Sequence, residues 1–470
     1  MFSMASSSSS NCRSGEEIDN RIALPTLTKK QKISLHCELL KPGCTKTALA
    51  QILHTLHRNG LLDKSMAAES ERAVKETLQQ ALKVHSECNT PYGPVVQRMN
   101  LGKSMPDWSF IHPCALLYHL SDVCTSFGDL MGELIGLQFR KLRVILYIDE
   151  LTPGNPLRVD KARTVQSVYW TFLEFPQHIL QRSECWFLFG CLRSSIADSL
   201  DGGASGFMRS VMHKFFLCKE FNLRVGANVK FQNKLITVRA DFGGFLADEK
   251  AHKELLNIKG ASGMKCCPTC KNVVRFLDTD SSQYLVDLKC CKYSKFDYHT
   301  NASFYECVDH LRQEKANMSK KQFDELQKFL GMNYDEHSLL FDDSLREVLA
   351  PIDNCIRDWM HTMVSGGVAG TEVSLMLLEL QNHFSLDDVI KYAMQYNLPK
   401  ARSQPTADWF QTKRIADDQM RTPAASDNIS LACLLNAFLQ DIAVPLGKLN
   451  KHCVCFKLLN SILVSVFAGA

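Results

Sequence analysis

Two aspartates, Asp149 and Asp241, each follow a stretch of residues that is typical of a β-strand. The stretch before Asp149, residues 142–148, is rich in large apolar side chains and favours burial on both faces. A carboxylate that ends such a strand is costly unless it lies in a cleft, forms a pair or binds a cation. Two carboxylates brought together could hold Mg²⁺ ions, which prefer oxygen ligands and stabilise the attacking and leaving oxygens of a phosphodiester. The alternative for Asp149 is a turn or capping acid that bonds to its own loop.

The elements around these acids predict how they are positioned. Turn residues 153–156 follow Asp149, and glycines follow Asp241. Between the acids, residues 167–175 and 185–192 read as strands and residues 206–216 as a helix. This order favours an α/β, ribonuclease-H-like core whose adjacent first and fourth strands bring both acids to one edge. A structure with the acids on opposite edges of the sheet, or in separate domains, would exclude a nuclease.

Four blocks in this order resemble transposases of the CACTA (En/Spm) and Plavaka-like groups. They are Tyr147–Lys161, Asp241–Phe242 with its glycines, Gly260–Cys270 and Asp358–His361. The resemblance spans roughly residues 110–445. It implies a Mg²⁺-dependent transposase that cuts and joins double-stranded DNA, forms a homo-oligomer when active, and has Asp149 and Asp241 as the first two of three catalytic acids.

The third acid is implied to lie on a late helix, after a long helical insertion. Asp427, at the start of an apolar helical pattern over residues 426–439, is the first candidate. The alternative for Asp427 is a helix N-cap. Asp358 is the other candidate, although Asp358 and His361 are expected to be supporting residues beside the catalytic acids.

Cysteines suggest a second metal. The chain has 19 of them and no secretory segment, so reduced thiols are expected rather than disulfides. Cys267 and Cys270 form a Cys-Pro-Thr-Cys knuckle that could point two thiolates at a structural Zn²⁺ ion. A redox pair is the alternative. The further zinc ligands are expected among Cys290, Cys291 and His299, and Cys307 and His310 are alternative ligands.

The remaining chain divides by composition into five predicted segments. Residues 1–20 are Ser-rich and predicted disordered, and residues 21–110, with 13 Lys and Arg against 7 Asp and Glu, predict a small basic helical domain. Its three candidate helices, at residues 33–40, 45–59 and 66–85, would form a helix-turn-helix-like DNA-binding domain or be ordinary solvated helices. The core would begin over 111–250, the zinc-knuckle and helical insertion would occupy 251–420, and 421–470 would supply the closing helix and a truncated C-terminus. Candidate helices of the insertion are 306–312, 320–330, 372–383, 385–396 and 407–418.

The sequence therefore predicts a DNA transposase or a transposon-derived relic. The alternatives are a catalytically inactive DNA-binding protein with the same fold, and a zinc-containing interaction module with no nucleic-acid role. No leader peptide is expected, and the apolar run at 458–470 is too short to span a bilayer. A nuclear or other intracellular location, without a membrane partner, follows from these expectations.

Overall fold

The structure is a computed structural model of the 470-residue chain, and its contacts separate two compact units, Met1–Asn89 and Thr90–Ala470. It describes Ala50, Leu53 and residues 71–103, 105–136, 141–151, 163–265, 267–277, 285–288, 290, 292–364, 367–398, 404–410 and 425–467. The boundary therefore falls at Asn89 and not after residue 110, where the composition placed it.

The described part of the first unit centres on one helix, α1 (Glu71–Ser86). It overlaps the third helix predicted for the basic segment, and lysine and histidine in its last turn suit the negative end of the helix dipole. The two earlier predicted helices, at 33–40 and 45–59, lie outside the described residues except for buried Ala50 and Leu53. The proposed helix-turn-helix arrangement thus stays a prediction.

The strands lie between Asn89 and Arg357 in the sequence. In chain order they are β1 (Asn89–Thr90), β2 (Gly93–Pro94), β3 (Val96–Met99), β4 (Trp108–Ile111), β5 (Leu142–Leu151), β6 (Val165–Phe172), β7 (Phe187–Arg193), β8 (Ala227–Phe231), β9 (Lys234–Val238), β10 (Ala240–Ala247), β11 (Val274–Leu277), β12 (Leu285–Leu288) and β13 (Cys355–Arg357). Strands β2, β3 and β4 thus lie at the end of the segment 21–110 that was predicted to be a helical domain.

The helices of the second unit surround these strands. They are α2 (Pro113–Val123), α3 (Thr125–Gly136), α4 (Gln177–Leu180), α5 (Ser194–Ala197), α6 (Gly203–Met212), α7 (Glu249–Leu255), α8 (Asn301–Glu314), α9 (Lys320–Leu330), α10 (Val368–Gln381), α11 (Leu386–Gln395), α12 (Ala425–Phe438) and α13 (Asn450–Phe467), with π-helical segments at His213–Leu217, Met360–Val364 and Leu439–Ala443. The fold is mixed α/β.

A five-stranded mixed sheet forms the centre, in the order β13-β10-β5-β6-β7. Strand β5 runs antiparallel to β6 and parallel to β10, and β10 runs parallel to β13. The carboxyl ends of β5, β10 and β13 therefore meet at one edge, which is where ligands gather in sheets of this type. Strands β8 and β9 form a separate hairpin.

Two glycines let β10 fit between β5 and β13. They were predicted to end the strand, but β10 continues through Gly243 and Gly244 with a shift in register between Phe242 and Gly244. A Cβ atom on Gly244 would lie 2.7 Å from the Asn354 carbonyl oxygen, so a larger residue would force the neighbouring backbone away. The glycines permit close approach and do not terminate the strand.

Apolar and aromatic side chains from the sheet and helix α6 form the first core. Leu146, Trp170, Phe189 and Phe215 are fully buried, and the Phe189 and Phe215 ring centroids lie 5.1 Å apart. Trp108 joins them, and its indole N–H donates to the Cys191 carbonyl oxygen at 3.0 Å. Aromatic contacts of this kind add stability beyond the buried area.

A second core lies among the late helices α10 to α13 and includes Leu377, Leu435 and Phe456. Within the described residues, the helical stretch Met360–Gln381 is the only one long and apolar enough to cross a membrane, and half of its most apolar window is buried inside the protein. Its Val373 and Leu377 side chains belong to this second core, as expected for a core helix.

No disulfide joins the cysteines that the structure describes. They include buried Cys114 and Cys453, which pack as small apolar side chains.

Candidate functional site

Asp241 lies at the beginning of β10, not at its carboxyl end. It is opposite Arg143 on β5, six positions before Asp149, which corresponds to about 20 Å along the strand. Its carboxylate pairs with Lys141 at 3.0 Å and approaches Arg224 at 3.8 Å. The prediction that Asp149 and Asp241 share a cation is therefore wrong, and the nuclease argument built on that pair does not stand.

Asp248 occupies the position that was predicted for Asp241. The register Leu246 opposite Tyr147 continues to place Asp248 beside Asp149 at the carboxyl edge. Asp248 also caps helix α7, since its Oδ1 accepts a hydrogen bond from the Ala251 N–H at 2.7 Å. The cap fixes the carboxylate beside the strand end, and one oxygen stays available to another partner.

Asp358 provides a third acid at the same edge. It follows β13, and its backbone N–H donates to the Ala247 carbonyl oxygen at 3.1 Å. Its Oδ1 accepts from the Met360 N–H at 2.8 Å, and its Oδ2 bonds His361 Nδ1 at 2.5 Å. The Asp358 side chain is mostly buried, whereas His361 is about half exposed. The pair is therefore preorganised, with the other ring nitrogen left free for a different contact.

The Tyr147 hydroxyl lies within electrostatic reach of all three carboxylates. The Tyr147 side chain lies on the same face of β5 as that of Asp149, which follows two residues later. Burial raises the pKa of the Tyr147 phenol, and the charges of Asp149, Asp358 and Asp248 raise it further. The three acids thus lie within electrostatic reach of one hydroxyl group.

These side chains line a cleft of about 400 Å³. Its titratable lining is dominated by acids, against Lys250 and His361, and the acids are Asp149, Glu150, Asp198, Asp248, Glu254 and Asp358. Burial raises the pKa of Glu254; Lys250 opposes this rise, whereas Asp198, Asp248 and Glu150 add to it. A cleft with this charge attracts cations and repels a phosphate unless positive charge is bound there.

The donor set fits Mg²⁺ in chemical type, because carboxylates from three neighbouring strands supply the hard oxygens that this ion prefers. In the conformation described, these oxygens bond the Ala251 N–H, the Met360 N–H and His361. Among the described residues, no three His, Cys, Asp or Glu side chains converge on a point that could hold a metal ion. Ion binding would therefore require small side-chain rotations at a preformed backbone edge.

Asp427 does not line this cleft, although Asp358 does. It lies in the first turn of helix α12 and is partly buried. The next residue, Asn428, donates from its side chain to the Val364 carbonyl oxygen at 3.2 Å. The expectation that Asp427 rather than Asp358 accompanies Asp149 is thus reversed, and Asp358 takes the place assigned to the third acid.

The cysteine knuckle lies beside this site, in the segment between Asp248 and Asp358. The Cys270 N–H donates to Cys267 Sγ at 3.3 Å, and Arg357 Nη2 lies 3.9 Å from the same sulfur. Burial raises the pKa of Cys267, but hydrogen bonds from Thr269 and Cys270 and the Arg357 charge outweigh it, so the net pKa is lowered. The knuckle thus favours a thiolate, the form that binds metal.

The other predicted zinc ligands lie at different places around the knuckle. The His299 N–H donates to the Thr269 carbonyl oxygen at 2.8 Å, which holds His299 alongside. Cys290 instead donates its thiol to the Lys292 carbonyl oxygen at 3.6 Å. Cys291 and Cys266 lie outside the described residues.

Sequence reasoning missed Asp248 because it placed the strand too early. The predicted strand, residues 234–240, is in fact β9 and the first residue of β10. A usable signal was present: Phe245, Leu246 and Ala247 form an apolar run, Asp248 ends it, and a helical pattern with Glu249 follows.

A search of family models matches none to this chain, and a search of curated proteins also returns no match.

Proposed function

We propose that this chain is a metal-dependent DNA nuclease and strand transferase of the transposase type, or a protein derived from one. The observation that carries the proposal is the position of Asp149, Asp248 and Asp358 at the carboxyl ends of three neighbouring parallel strands. The proposal replaces the predicted second acid, Asp241, with Asp248.

The order of the sheet supports this proposal. Strands β5, β6 and β7 form an antiparallel meander, and β10 returns to lie parallel beside β5. A ribonuclease-H-like core has the same relation between its first and fourth strands, with an acid at the end of each. The resemblance to CACTA and Plavaka-like transposases rests on four blocks, and the two that contain Asp149 and Asp358 contribute residues to this edge.

Each residue has a distinct role in the proposed site. Asp149, Asp248 and Asp358 would hold Mg²⁺, which when bound stabilises charge on the attacking and leaving oxygens of a phosphodiester. His361 orients Asp358 through their 2.5 Å hydrogen bond. Tyr147 lies on the same face of β5 as Asp149 and lines the cleft with it. The protein thus contributes geometry and an excess of negative charge that collects cations.

Double-stranded DNA is the proposed substrate, and a nuclear location and an oligomeric active form follow from the same proposal. The acidic cleft disfavours DNA until cations are bound, so DNA binding near the site should depend on divalent metal. The basic segment at residues 21–110 is the proposed source of metal-independent DNA affinity, because it has 13 Lys and Arg residues against 7 Asp and Glu residues.

A plasmid-nicking assay tests the proposal. The full chain would be incubated with supercoiled plasmid and Mg²⁺ or Mn²⁺, and compared with Asp149→Asn and with Asp241→Asn. We expect nicking by the wild type, a loss of at least about 100-fold in Asp149→Asn, and near wild-type nicking in Asp241→Asn.

Asp241→Asn is a matched control for Asp149→Asn. Both variants remove one carboxylate from a strand, but Asp241 lies at the other end of the sheet from Asp149. A folded wild-type protein whose nicking rate equals that of Asp149→Asn with both metals would refute the enzymatic proposal. Retained, metal-independent DNA binding in that case would favour the inactive DNA-binding protein.

A further inference from the structure

We infer that Cys267, Cys270, His299 and Cys307 form a structural zinc site, with Cys307 taking the place expected for Cys290 or Cys291. The site lies outside the acidic cleft, and the inference does not depend on the proposed nuclease function.

The knuckle supplies the first two sulfur ligands. Cys267 and Cys270 are three residues apart across a tight Pro-Thr turn, and the Cys270 N–H donates to Cys267 Sγ at 3.3 Å. A backbone N–H aimed at a ligating sulfur stabilises its negative charge and fixes its direction. The backbone of the knuckle thus has a shape suited to a metal ion. The four side chains do not converge on one point in the described conformation, so binding would require them to rotate.

Backbone pairing places His299 against the knuckle. Cys270 forms an isolated antiparallel bridge with Tyr298, and the His299 N–H donates to the Thr269 carbonyl oxygen at 2.8 Å. The His299 side chain is 7% exposed, and its Nδ1 contacts Ser303 Oγ at 3.2 Å. This contact orients the ring and leaves Nε2 as the ligand atom, an arrangement common for metal-bound histidines.

Cys307 approaches from helix α8, one helical turn after Ser303. Cys267, His299 and Cys307 together line a small cavity of about 10 Å³. A space of that size holds about one water-sized sphere, so it suits a single ion and excludes a larger ligand. The remaining walls are largely apolar, including Ile258, Phe304 and Met332, and they would shield the ion from water.

Cys290 makes a poorer fourth ligand than Cys307. Its thiol donates to the Lys292 carbonyl oxygen at 3.6 Å, and it does not line the cavity. Cys270 does not line the cavity either, but its N–H bonds Cys267 Sγ, which does. Cys307 donates to the Ser303 carbonyl oxygen at 3.4 Å, a bond within its own helix that a side-chain rotation would exchange for a metal bond. Three thiolates and one imidazole are a typical tetrahedral zinc set, and their binding would release thiol protons to solvent.

Metal analysis of the full chain tests the site. The protein would be purified under reducing conditions without chelators, and zinc would be measured by mass spectrometry. We expect about one zinc per chain in the wild type and in Cys290→Ser, and at least about a five-fold lower content in Cys307→Ser after dialysis against a weak chelator.

Cobalt substitution separates lost ligation from misfolding. Cys307→His keeps a ligand at this position, so it should still bind Co²⁺, with thiolate-to-metal absorption lower by about one third because one of three thiolates is gone. Cys290→Ser should leave that absorption unchanged. A wild-type protein purified without zinc would overturn the inference, as would zinc loss in Cys290→Ser together with full zinc content in Cys307→Ser.

Discussion

The Asp358 backbone N–H donates to the Ala247 carbonyl oxygen at 3.1 Å. This bond extends the pairing of β10 with β13 by one step and sets Asp358 beside Asp248, which follows Ala247. Two acids far apart in the sequence thereby become neighbours at the edge where Asp149 lies, two residues before the end of β5. The candidate site depends on this relation.

Replacing Asp248 with asparagine should remove metal binding without unfolding helix α7. Asparagine is as good an N-cap as aspartate, so the bond to the Ala251 N–H can be kept while the charge is lost. We expect Mn²⁺ to raise the melting temperature of the wild type but not that of Asp248→Asn, in a thermal-unfolding titration. An equal Mn²⁺ shift in both proteins would exclude Asp248 as a ligand.

Replacing His361 with alanine should weaken metal affinity more than it lowers the rate at saturating metal. His361 bonds Asp358 and orients it, and loss of such a supporting partner typically costs 10- to 100-fold in metal affinity. The measurement is the Mn²⁺ dependence of plasmid nicking. The control is His383→Ala, which should leave this dependence unchanged. His383 follows helix α10 and pairs at 3.6 Å with Glu379 on that helix.

Replacing Leu146 with alanine should destabilise the second unit by about 2–5 kcal/mol, because the side chain is fully buried in the central strand. Urea unfolding followed by tryptophan fluorescence would measure the change. Leu235→Ala, at a side chain that is 59% exposed on β9, should change the free energy of unfolding by less than about 0.5 kcal/mol. Similar effects at both positions would contradict the described core.

His112 should make the stability of the second unit depend on pH. Burial, and then the charge of Lys214, lower the pKa of His112 to about 4. The unfolded chain, with an ordinary histidine pKa near 6.5, binds the proton more readily, so stability is present above pH 6.5 and is lost as the pH falls towards 4. Between pH 7 and pH 5 the loss from this residue should be about 2 kcal/mol.

The variant His112→Asn tests that dependence. His112 is the N-cap of helix α2 and accepts from the Ala115 N–H, and asparagine can do the same without titrating. Urea unfolding at pH 7 and pH 5 should show a smaller loss in His112→Asn than in the wild type, whereas the exposed control His178→Asn should behave like the wild type. An unchanged loss in His112→Asn would contradict the assignment.

Local sequence patterns determined most of the described secondary structure around the core. The strands at β5, β6 and β7 and the helices α9, α11 and α12 were predicted within a few residues, because each has the apolar periodicity or capping residues of its type. Asp149 was found for the same reason: an apolar run followed by an acid and a turn is visible without knowledge of any partner strand.

Tertiary structure decided which acids join Asp149. The second acid depends on the register between β10 and β5, and a parallel pair separated by a long connection leaves no local trace of that register. The third depends on β13, a strand of three residues that has too little sequence to show a period. Asp241 and Asp248 both adjoin β-strand residues in the sequence. The pairing of β10 with β5 decides that Asp241 lies beside Lys141 and that Asp248 lines the cleft.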